Sequence, residues 1–178
     1  MTLGPTGLFR VSTLALLAFG SVAHADSTSI DIPSAPALGK VAAGTAASTF
    51  TVNGSTGAVA LASGNAVRFN SPGTISTPTV SVTCNACNGN AAARTVTVTI
   101  TSTGSGRANI TSFTRTNTGG TGTFGGAITG SPLIFTIQFP SGSGANTATF
   151  KLGMTVQIAT TGTTGVRSLP YTVATSRP

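Results

Sequence analysis

From Ser48 onward, apolar and polar residues alternate with a period of two. "STFTVN" sets Phe50 and Val52 on one face, and "PTVSVT" sets Val80 and Val82 against Thr79, Ser81 and Thr83. "RTVTVTIT" places Val96, Val98 and Ile100 inward and Thr95, Thr97, Thr99 and Thr101 outward. "LIFTIQF" aligns Leu133, Phe135, Ile137 and Phe139, and "TFKLGMTVQI" aligns Phe150, Leu152, Met154, Val156 and Ile158. "AVALA", "AVRFN" and "ANITSFTR" are weaker strands, and "LPYTVAT" closes the series. Alternation of this kind predicts strands that bury one face each. Gly, Asn, Ser and Pro punctuate the segments as turns. No window after the leader carries the 3.6-residue period of a helix. Many short alternating strands predict an all-β antiparallel β-sandwich or a barrel. An outer-membrane barrel needs aromatic girdles at both interfaces. This chain has no Trp and one Tyr, and its Phe residues share faces with other core positions. The sandwich is the expectation.

The N-terminus reads differently. One cation (Arg10), the short apolar run "VSTLALLAFGSVA" and the small-x-small triplet "AHA" make residues 1–25 a secretory signal peptide, too short for a membrane span. Cleavage after Ala25 leaves 153 of the 178 residues, enough for one domain that buries about 70% of its unfolded surface. Nothing after the leader is apolar enough to span a membrane as a helix. Residues 26–47 are rich in Ala, Ser and Pro, with only Ile30 and Ile32 in strand alternation. They predict an N-terminal arm or a first edge strand, and as an arm Ile30 and Ile32 would add to a neighbour's sheet edge. Residues 48–178 form the sandwich domain.

Charge narrows the function classes. Only 6% of residues are charged, against roughly 25% in ordinary domains. A surface of Thr, Ser, Gly, Ala and Asn costs little to desolvate and suits a protein that sits against neighbours. The net charge is +7, or +6 without Arg10. The cations are scattered and lack interleaved aromatics, so nucleic-acid binding is not expected and dispersed surface charge is. Beyond the leader there is no His and no Glu, and the acids are Asp26 and Asp31. Without an ordinary general base, no catalytic site is expected.

Cys84 and Cys87 are the only cysteines. A redox Cys-x-x-Cys pair normally opens a helix, whereas strand pattern follows here. Zinc needs about four ligands, and no other thiol or imidazole follows the leader. Export favours a disulfide. The expectation is a Cys84–Cys87 clip bracing the turn between two Val/Thr strands, with no metal and no cofactor. Gly120, Gly122 and Gly125 match a G-x-G-x-x-G spacing, but a dinucleotide site needs a helix after it and a later acid. A flexible loop between strands is expected. The Thr95–Thr101 row resembles the Thr-x-Thr faces of ice-binding solenoids, which need stacked repeats that this chain lacks.

"LGKVAAGTAASTFTVNGSTGAVALASG" and "FKLGMTVQIATTGTTGVRSLPYTVA" are similar to the opening and close of a bacterial secreted domain family of unknown function. The resemblance spans most of Leu38 to Val173. It implies a pilin-like, immunoglobulin-like sandwich akin to subunits of chaperone–usher fimbriae. It also implies an envelope or surface structural role, adhesion included. Expected partners are further copies or other envelope and pilus proteins, with a periplasmic chaperone implied. The expected place is the periplasm, outer surface or extracellular space. The alternative expectation is a monomeric extracellular domain that recognises glycan or matrix through Gly/Thr-rich loops.

Overall fold

The computed structural model describes residues 27–30, 36–69, 73–85, 87, 90–104, 106–142, 144–160 and 165–177. The expected signal peptide, Asp31 and Ile32 lie outside the described residues. Among the described residues the regular elements are all strands, apart from one 3₁₀ turn at Ala92–Arg94. In chain order the strands are β1 (Ser27–Ile30), β2 (Ala37–Ala42), β3 (Ser48–Val52), β4 (Val59–Ser63), β5 (Val67–Phe69), β6 (Thr79–Cys84) and β7 (Thr95–Ser102). Then come β8 (Ala108–Gly120), β9 (Thr123–Gly126), β10 (Thr129–Gly130), β11 (Leu133–Gln138), β12 (Asn146–Ile158), β13 (Gly165–Ser168) and β14 (Tyr171–Ser176).

These strands build three antiparallel sheets. The largest centres on β12, the longest run of clean alternation. One edge of β12 pairs with β8 along Ala148 to Ile158. The other edge is shared: β6 takes Asn146–Lys151 and β3 takes Met154–Ile158. β1, β4 and β10 flank them. The second sheet has the order β14-β7-β11-β9, and the third is β13-β2-β5. The two larger sheets pack face to face, since inward residues of both form one cluster. Ring contacts cross the gap: Phe135 of β11 meets Phe150 of β12 edge-on at 5.2 Å, and Phe113 of β8 meets Tyr171 of β14 at 6.0 Å. This is an all-β, antiparallel, sandwich-like fold.

The alternation places the core as expected along β6, β7, β11 and β12, where every named inward residue is buried. Three places depart from simple alternation. β8 buries Ala108 and Ile110, then Phe113 and Arg115, because a bulge at Thr111 shifts the phase by one residue. β4 and β5 are edge strands, and Leu61, Val67 and Phe69 on them are exposed. The glycine stretch expected to be a flexible loop is strand up to Gly120 and strand again from Thr123. Its glycines allow close packing: a Cβ on Gly122 would lie 2.5 Å from the Ile137 side chain.

Residues 26–47 contribute two strands. β1 occupies the edge of β6, with Ile30 opposite Val80. β2 buries Leu38 and Val41 completely in the common core. Ser48 is also fully buried, and its Oγ accepts from the amides of Asn65 and Ala66 at 3.0 and 2.9 Å. It thereby ties the start of β3 to the chain after β4, a role for which the alternation carries no signal.

Candidate functional site

Cys84 ends β6 and is disulfide-bonded to Cys87, with Cα atoms 5.8 Å apart and both residues fully buried. Arg177 Nη2 donates to Cys84 Sγ at 2.7 Å, and the Gly142 amide donates to the Cys87 carbonyl. The strands on either side differ from the expectation. β6 and β7 do not pair with each other: β6 lies between β1 and β12, and β7 between β14 and β11. The disulfide braces a crossover between opposite sheets and not a hairpin. Both strands bury one face in the common core, each from its own sheet. Val80 and Val82 face Val96, Val98 and Ile100 across the core, which strands side by side in one sheet would not do. The 3₁₀ turn completes the corner, with Arg94 Nη1 donating to the Phe139 carbonyl at 2.8 Å.

So small a loop stabilises by about 2 kcal/mol on the chain-entropy account. Cys84→Ala/Cys87→Ala is expected to lower the unfolding free energy by about that amount while strand content stays. Urea unfolding followed by circular dichroism checks this. A lost strand signal would mean that the bond maintains the fold and not merely the corner.

The cations are not all dispersed surface charge. Arg115, expected at the surface, is 7% exposed. Its guanidinium carbon lies 4.9 Å from the Phe135 ring centroid and 5.1 Å from that of Phe124. Nε donates to the Ala127 carbonyl at 3.1 Å, and Nη1 donates to Asn117 Oδ1. Burial pulls its pKa below the usual arginine value. Ring faces and carbonyl oxygens replace the absent carboxylate. The signal for this was present in the sequence, because Arg115 stands two residues after Phe113 and so shares its face. Arg68 is similarly drawn in, with Nε on the Leu38 carbonyl at 2.8 Å, and burial lowers its pKa too.

The threonine row of β7 belongs to a larger surface. Register places Thr99 between Ala174 and Ile134, and Thr97 between Ser176 and Thr136. Thr136 in turn faces Gly125. The four strands of this sheet contain no charged residue. The partners of the row come from β9, β11 and β14, distant in sequence, so the face could not be read from "TVTVTITS" alone.

A second feature is a shallow trough of about 470 Å³ on the seven-stranded sheet, bordered by Thr51, Asn53, Ser55, Thr114 and Thr116. It lies where β3 gives way to β6 along β12. Asn53 Oδ1 accepts from the Ser55 and Thr56 amides, which holds the turn at its rim. Among the described residues, no group of three His, Cys, Asp or Glu could hold a metal ion. No described helix is long and apolar enough to cross a membrane. No protein-family model, curated protein or solved structure matches this chain.

Proposed function

We propose that this chain is an exported structural subunit of a cell-envelope or pilus-like assembly, working by contact and not by turnover. One observation carries the reading. From residue 36 to 177 the sequence has eight Lys and Arg and no Asp or Glu, yet the four-stranded sheet has no charge at all. Copies of a purely cationic body repel wherever their charges meet. A face of Thr, Ser, Ala and Ile is where they can approach without burying a cation. The buried disulfide accords with an oxidising compartment outside the inner membrane. The pilin-like resemblance of Leu38 to Val173 points the same way, with a periplasmic chaperone as the implied escort. In such an assembly, the N-terminal arm with Ile30 and Ile32 is the segment that one copy would lend to the β6 edge of the next.

The test is assembly against concentration, by sedimentation and electron microscopy. Ordered oligomers or filaments are expected from the unaltered chain. Thr99→Lys, which plants a charge at the centre of the face, is expected to leave the fold intact and abolish them, while Thr99→Ser keeps them. A chain that stays monomeric at every concentration sinks the proposal. A second reading, a monomeric domain that binds glycan, is favoured by the hydroxyl-lined trough at Thr51, Ser55, Thr114 and Thr116. Sugar-induced shifts of these amides in a stable monomer would select it.

A further inference from the structure

The three-stranded sheet carries a surface of another kind. Register puts Val166 of β13, Lys40 of β2 and Phe69 of β5 in one row, with Val67 beside them opposite Ala42. All four side chains are exposed: Val166 by 69%, Val67 by 50% and Phe69 by 43%, with Lys40 among them. Arg107 and Arg167 line a cleft that also includes Val166. This surface lies at the opposite end of the sandwich from the disulfide. β7 starts beside Arg94 at the disulfide corner and ends at Ser102, opposite Tyr171. Just before Tyr171, the Leu169 amide donates to the Pro36 carbonyl, which leads into β2.

We infer that this end docks the molecule on an anionic lipid bilayer. Val67, Phe69 and Val166 would enter the boundary between headgroups and acyl chains, and the exposed Lys40 and Arg107 would meet lipid phosphates. Charge complementarity selects the occupant. A second copy would bring the same cations, with no acid from residue 36 to 177 to meet them. An acidic polysaccharide would engage the cations and leave three large apolar side chains in water. A bilayer of anionic lipid satisfies both halves of the surface, since interfacial binding combines buried apolar area with electrostatic attraction. The inference stands apart from the assembly reading, because it uses a different sheet and does not need copies to associate.

The chain has no Trp, so Phe69→Trp gives a single reporter at an exposed position. The purified chain is expected to sediment with vesicles of phosphatidylcholine mixed with phosphatidylglycerol and not with phosphatidylcholine alone. Emission of the Phe69→Trp chain is expected to shift to the blue on the mixed vesicles. Binding should weaken sharply as salt rises from about 0.1 to 1 M and the screening length falls from about 10 to 3 Å. Lys40→Gln/Arg107→Gln is expected to weaken binding at least about tenfold. Val67→Ser/Val166→Ser is expected to weaken binding to the vesicles but not to dextran sulfate. Three vesicle results would overturn the inference: no sedimentation with the mixed vesicles, equal binding to both vesicle types, or binding with unchanged emission that dextran sulfate fully displaces. A concentration-dependent dimer that Val67→Ser/Val166→Ser dissolves would overturn it in favour of a second copy.

Discussion

Phe150→Ala is expected to lower the unfolding free energy by about 3–5 kcal/mol, a large part of the stability of an ordinary domain. Phe150 is fully buried on β12, the strand on which the seven-stranded sheet is organised. Its ring meets Phe135 at 5.2 Å and Phe124 at 6.1 Å, both edge-on, and both partners belong to the opposite sheet. Truncation removes apolar burial, two ring contacts and the packing behind the two rings that receive Arg115. The surrounding β-ladders cannot collapse into the space, so a cavity remains. Phe150→Leu, which leaves a smaller void, is expected to cost clearly less. Urea unfolding of both variants checks this. A Phe150→Ala loss below about 1 kcal/mol, no more than an average substitution, would mean that the two sheets are not held by this cluster.

Gly153→Ala is expected to cost about 3 kcal/mol, at the upper end of overpacking. The glycine sits where β12 passes from β3 to β6. A Cβ there would lie 2.7 Å from the Val52 carbonyl oxygen and 2.9 Å from the Gly54 amide nitrogen. Gly54 meets the reciprocal limit, 2.7 Å from the Gly153 nitrogen. Both obstacles are backbone, so no side chain can rotate away and the strands themselves must part. Nearby bonds register that movement: Leu152 donates to the Pro78 carbonyl at 3.1 Å, and Thr77 Oγ1 donates to the Gly54 carbonyl at 2.8 Å. Amide exchange is expected to speed up at Val52 and Leu152. Gly144→Ala, where a Cβ meets nothing within 4 Å, is the control and is expected to change stability by less than about 0.5 kcal/mol. Equal stability of the two variants would remove the close-approach account.

The role of Gly153 also shows how far the sequence could be read. A glycine within a clean alternating run marks a close backbone approach, but nothing local says which strand approaches. The same limit applies to Cys84 and Cys87. Their proximity and the strands on both sides were legible, whereas the crossing from one sheet to the other was not. Arg115 was legible in phase, because it follows Phe113 by two residues. That its face pointed into an aromatic cage depended on Phe124 and Phe135, which belong to strands of the other sheet.

By itself, the sequence determined which face of each strong strand is buried. Successive side chains point to opposite sides of an extended backbone, so the Val/Thr and Phe/Leu/Met alternations of β6, β7, β11 and β12 were settled by covalent geometry. It also determined the shortage of acids, and with it the purely cationic body from residue 36 to 177. Only the tertiary structure decided which strands are neighbours: that β12 shares one edge between β3 and β6, that β1 lies on β6, and that Thr97 and Thr99 join a charge-free face while Lys40 joins Phe69 and Val166. Backbone donors and acceptors are the same at every residue and do not encode a partner. The choice among ladders falls to the packing of side chains far apart in the chain, and no local pattern records it.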